Sequence, residues 1–162
     1  MKYQKLKYVD IANGPGCRVT IWESGCGNNC PGCFNEEAKN PDIGEDFTEE
    51  TMNDILEHLK PDYISGFTFL GGDPLFLPNC GETLKIAKRI KEVYGDKKTI
   101  WLWTGYLWEH VKDNPVFKYV DVCVDGPFIE EQKDITLVYS GSRNQRVINV
   151  QESLKNNKII LL

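Results

Sequence analysis

The sequence predicts an α/β protein whose mostly parallel sheet forms an open, partial β/α barrel. Three observations lead there. Strand-like runs rich in β-branched and aromatic residues alternate with amphipathic helical ones, the pattern of βαβ units. The chain has 162 residues, whereas a closed eight-fold barrel takes roughly 200 or more. The polar and glycine-rich stretches fall just after the strand-like runs, where parallel sheets build their sites.

The elements follow in order. Residues 17–24, CRVTIWES, alternate apolar and polar side chains and read as a strand. Residues 48–60 place Met52, Ile55, Leu56 and Leu59 on one helical face, with Thr48 as N-cap and Pro61 as stop. Residues 63–70, YISGFTFL, read as a buried strand that ends in GGDP. Residues 81–95 put Ile86, Ala87, Ile90, Val93 and Tyr94 on one face and close on Gly95. Residues 98–105 and 119–126 read as a third and a fourth strand, with a short helix over 107–112 between them. Residues 135–141 and 145–150 read as further strands joined by the turn SGSRN, and the tail IILL as a last one.

The length fits one domain spanning 1–162, and 41% apolar residues suffice for a core. No apolar run reaches the roughly 18 residues of a membrane span, and MKYQKLKYVD lacks the apolar region of a secretory signal. A cytoplasmic protein is expected, without membrane or nucleic-acid partners. A net charge of −5 with scattered Lys and Arg offers no basic face. In that compartment clustered thiols bind metal or do redox chemistry rather than pair as disulfides.

SGCGNNCPGCFN, residues 24–35, holds Cys26, Cys30 and Cys33. A structural zinc site normally closes with four ligands. Completing one here requires Cys17, Cys80, Cys123, His58 or His110 to reach in, and the cysteines outside the loop read as packing residues, His58 as a surface residue. A redox pair at 30 and 33 leaves Cys26 unexplained. A [4Fe–4S] cluster uses all three thiolates and leaves one iron open, as catalytic zinc keeps a position for substrate.

This spacing, C-x3-C-x2-C after one strand and GGDP after the next, is similar to that of the radical S-adenosylmethionine superfamily. The resemblance implies a partial barrel of that type, a [4Fe–4S] cluster, and S-adenosylmethionine bound to the open iron. It implies one-electron cleavage of the sulfonium and a 5′-deoxyadenosyl radical that abstracts hydrogen. By this resemblance Cys26, Cys30 and Cys33 are the metal ligands. Gly71, Gly72 and Asp73 hold the methionine end. Gly32, Phe34 and Asn35 flank the cofactor, Asn35 either bonding within the site or ending the loop; Thr104 and Asp125, at strand ends, either touch the ribose or methionine part or shape the turns there. No residue is assigned as general acid or base, because the cofactor carries the chemistry. Gly32 stands before the third cysteine, where the superfamily often has an aromatic residue, and Phe34 follows it.

GPGCRVTIWESGC (14–26), CPGCFN (30–35), TGY (104–106), DGPF (125–128) and GSRNQRVI (141–148) together resemble the activases of anaerobic, class III ribonucleotide reductase. That resemblance covers residues 10–150. It implies an oxidoreductase whose substrate is a backbone glycine of the reductase, with an external electron donor such as a flavodoxin. Arg18 and Arg143 read as carboxylate or partner contacts, or equally as surface pairs. Two other readings are an activase of pyruvate formate-lyase type and a non-enzymatic zinc or redox module.

Overall fold

Four parallel strands carry the candidate site. The computed structural model describes residues 1–162. In chain order the elements are β1 (Lys2–Asp10), β2 (Cys17–Glu23), β3 (Glu45–Asp46), α1 (Glu49–Leu59), β4 (Ile64–Gly71), α2 (Leu77–Tyr94), β5 (Thr99–Trp103), α3 (Trp108–Val111), β6 (Val122–Asp125), β7 (Arg146–Asn149) and α4 (Val150–Asn156). The sheet order is β3-β1-β2-β4-β5-β6-β7. Strands β2, β4, β5 and β6 are parallel neighbours, while β1, β3 and β7 join antiparallel. The sheet is mixed, mostly parallel at its centre, and does not close.

Alternation along the central strands sorts their side chains between two faces. Val19, Ile21, Phe67, Phe69, Ile100 and Leu102 share one apolar core with Met52, Ile55 and Leu59 of α1 and Ile86, Ala87 and Ile90 of α2. The other parity, Arg18, Thr20 and Trp22 on β2, Thr68 and Leu70 on β4, and Trp101 and Trp103 on β5, forms the second face. Thr20 pairs with Thr68, Trp22 with Leu70, and Thr68 with Trp101. Helix α1 begins as its sequence demands: the Thr48 side chain accepts from the Thr51 backbone N–H, and Thr51 returns the bond in a capping box.

Several elements differ from the expectations. The strand Lys2–Asp10 precedes the one read as first, so the cysteine loop follows the second strand. Helix α2 starts four residues earlier than read, with Pro78 in its first turn, where a missing N–H costs nothing. Residues 135–141 are not a strand. Thr136 donates from both its backbone N–H and its hydroxyl to Asp134. Tyr139 has φ +68°, and Ile135 and Val138 find no surface to pack on. The IILL tail makes only a single bridge, Leu161 to Ile148. Residues 150–156 form a helix capped by Asn149, which accepts from the Glu152 N–H. No helix is long and apolar enough to cross a membrane.

Candidate cluster and cofactor site

Above the second sheet face lies a cavity of about 360 Å³. Its floor is Trp22, Leu70 and Trp103, the last side chain of that parity on each of β2, β4 and β5. Its rim is built from the four carboxyl-end loops. Cys26, Asn28, Cys30, Cys33 and Phe34 come from the cysteine loop, Gly71 and Gly72 from the β4 end, Thr104 and Gly105 from the β5 end, and Gly126 and Phe128 from the β6 end. All three loop thiols are half-buried and free of disulfide pairing. All three line the same cavity. Three thiolates are the soft ligands that an iron–sulfur cluster takes.

The structure thus brings Cys26, Cys30, Cys33, Phe34, Gly71, Gly72 and Thr104 to one cavity. Phe34 stands 93% exposed at its mouth. Gly32 lies on an adjoining cavity that shares Phe34, Leu70 and Trp103 with the first. Asn35 turns away, its amide donating to Gln4 Oε1 at 3.2 Å.

Asp73 is not part of the lining. Its buried carboxylate accepts from Asn28 Nδ2 (3.0 Å), Thr104 Oγ1 (2.9 Å), Gly105 N (2.9 Å) and Leu75 N (2.9 Å). Burial pushes this carboxyl up to about 6, while the same four donors pull it down. The group that the resemblance aims at an ammonium is therefore occupied by the protein's own donors, and it knits three rim loops together. Asp125 is likewise fully buried behind the lining, held by Arg146 Nε at 3.0 Å and by the Trp108 N–H at 2.7 Å. Arg146 also grips Glu109, whose carboxyl it holds near 2.

Arg18 is neither a surface pair nor a partner contact: it is fully buried beneath the cavity floor. Arg143 is exposed and lies 3.9 Å from Asp134.

Sequence reading also missed Asn28 and a buried acid. Glu23, the last residue of β2, is wholly enclosed. Thr83 Oγ1 lies 3.1 and 3.2 Å from its two carboxyl oxygens, 2.9 Å from the Pro74 carbonyl and 3.2 Å from that of Asn79. One hydroxyl has one proton to give, so it cannot serve all four acceptors at once. Burial holds this carboxyl well above its ordinary value of 4.5, with the Thr83 bond opposing. A raised acid binds its proton more tightly folded than unfolded, so stability falls as pH climbs above about 4.5. Glu23→Gln keeps the shape without the charge and flattens that fall. Urea midpoints of both proteins between pH 5 and 8 check this, and parallel pH curves contradict it.

A family model described as a 4Fe-4S single cluster domain matches residues 12–148. That defines the class: an α/β protein built around one iron–sulfur cluster. The anaerobic ribonucleoside-triphosphate reductase-activating protein of Enterobacteria phage T4 is 40% identical over 147 residues, 91% of this chain and 93% of that protein. The proteins of the same name from Vibrio cholerae and Escherichia coli K12 are each 39% identical, over 90% and 91% of this chain and 96% and 97% of theirs. The chain belongs to the family of anaerobic ribonucleoside-triphosphate reductase-activating proteins.

Proposed function

We propose that this protein activates an anaerobic ribonucleotide reductase in the cytoplasm by installing a glycyl radical on it. The observation that carries the reading is the set of three free thiols on the same cavity as Gly71 and Gly72. When bound, a [4Fe–4S] cluster and S-adenosylmethionine supply an electron and a 5′-deoxyadenosyl radical, which takes a hydrogen atom from the partner's glycine.

The chain's own residues bind, orient and exclude water. Cys26, Cys30 and Cys33 hold the cluster. Backbone groups at Gly71 and Gly72 receive the ammonium of the methionine end, and Asp73 holds that turn in place rather than touching the ligand. Trp22, Leu70 and Trp103 form a dry floor that keeps solvent from a reactive centre. Thr104, with its hydroxyl committed to Asp73, and Phe34 border the cofactor, with Gly32 on the adjoining cavity; Asn35 ends the loop, and Asp125 sets the β6 end from behind. The open sheet is a partial barrel of radical S-adenosylmethionine type, and its open side admits the partner's backbone. A glycine suits this attack because no side chain blocks the approach. The electron comes from an external donor of flavodoxin type.

The test is to mix the reduced, reconstituted protein with an anaerobic ribonucleotide reductase and S-adenosylmethionine. Electron paramagnetic resonance is expected to show an organic radical on the reductase, altered in shape when its glycines carry deuterium. Cofactor cleavage without any radical on the reductase would point to another substrate.

A further inference from the structure

One residue of the cysteine loop bonds both to a thiol and to the turn after β4. The backbone N–H of Asn28 donates toward Cys26 Sγ at 3.4 Å. Its side-chain amide donates to Asp73 Oδ2 at 3.0 Å. Asp73 Oδ2 also accepts from the Gly105 N–H and from the Thr104 hydroxyl, so the bond joins the loop to the ends of both β4 and β5. The contact is close: a Cβ at Gly105 would fall 2.4 Å from Asn28 Nδ2. A second clasp lies beside it. The Asp73 N–H donates to the Gly25 carbonyl at 2.8 Å, and Asn79 Nδ2 donates to the Ser24 carbonyl at 2.9 Å. The first half of the loop, 24–28, is thereby fixed to the ends of β4 and β5 and to α2. The second half has few such ties: Cys33 N to Cys30 O at 3.3 Å, and Asn35 to Gln4.

We propose that Asn28 is a positioning residue: through Asp73 it sets the placement of the cluster-holding loop relative to Gly71 and Gly72. This rests on the reading that the cluster and S-adenosylmethionine share the cavity. A donor shared with a charged, buried acceptor is among the stronger hydrogen bonds. Removing it leaves Cys26, Cys30 and Cys33 able to take up iron, but frees the loop to shift against the glycines. Placing a carboxylate there sets two acids face to face, a worse state than a gap.

The test uses the full chain reconstituted with iron and sulfide: wild type, Asn28→Ala and Asn28→Asp. Iron content, thermal midpoint, and the change of the reduced cluster's paramagnetic spectrum on titration with S-adenosylmethionine are read on each. Iron content and midpoint near wild type are expected for Asn28→Ala, with affinity for S-adenosylmethionine lower by about tenfold. Asn28→Asp is expected to bind more weakly still. Wild-type affinity in Asn28→Ala overturns the proposal, as does iron lost in proportion to affinity, which would make Asn28 a support of the cluster alone. A wild-type spectrum indifferent to S-adenosylmethionine would instead overturn the functional reading, and the proposal with it.

Discussion

Replacing Cys26, Cys30 or Cys33 by alanine is expected to abolish the proposed cleavage of S-adenosylmethionine. Each thiol faces the same cavity, and none is replaceable by a neighbour. Cys123 is sealed in the core, Cys17 lies in β2, and the Cys80 thiol donates to the Leu77 carbonyl at 3.2 Å, within its own helix. With two thiolates left, a cluster loses a ligand that no other Cys or His is placed to supply. The fold, by contrast, asks little of these side chains: they sit half-buried in a loop outside the apolar core. The thermal midpoint of each variant is therefore expected close to wild type while iron content and cleavage collapse. Cys80→Ala serves as control and keeps both. Retained cleavage in any one of the three variants contradicts the cluster assignment.

Arg18→Ala is the largest expected loss of stability. The guanidinium donates to Thr68 Oγ1 (2.7 Å), the Phe67 carbonyl (2.8 Å), the Thr99 carbonyl (2.9 Å) and Thr99 Oγ1 (3.1 Å), and lies 5.7 Å from the Trp101 ring. It spans β2, β4 and β5 on the cavity side of the sheet. Burial pulls it down to about 10, still charged at neutral pH. Truncation leaves buried acceptors on two strands without a donor and opens a void the size of the side chain. Unpaired buried groups cost about 1–3 kcal/mol each, so a loss of about 4 kcal/mol or more is expected, a large share of a domain's roughly 5–15. Arg18→Lys falls between, since one ammonium cannot reach all four acceptors. Equilibrium unfolding in urea measures it, and a loss under about 1 kcal/mol would contradict the role given to this residue.

The four parallel strands and helices α1 and α2 were legible because each carries its own period and boundary signals, such as Thr48 at the start of α1 and Gly95 after α2. Strand β1 was not: Lys5, Lys7 and Val9 alternate outward, and lysines on an exposed edge look like a polar tail. Residues 135–141 misled in the other direction, since β-branched composition promises a strand only where a partner or a core exists to receive it. That the cysteines and the GGDP glycines share one cavity was legible because both stretches directly follow neighbouring parallel strands. The partners of Asp73 were not, because Asn28 lies 45 positions away and Thr104 lies 31. Glu23 and Thr83 meet across 60. Nothing local announces such bonds. Arg18 was misplaced for the same reason: only the pairing of β2 with β4, and of β4 with β5, reveals that its side chain points into the sheet's covered face.

The central claim is that three thiols hold a cluster whose open iron takes S-adenosylmethionine. It is tested most directly by reconstituting the protein anaerobically with iron and sulfide, reducing it, and recording its electron paramagnetic resonance with and without the cofactor. A [4Fe–4S]⁺ signal that changes shape when S-adenosylmethionine is added is the predicted result. A protein that takes up no cluster, or a cluster whose signal ignores the cofactor, would contradict it.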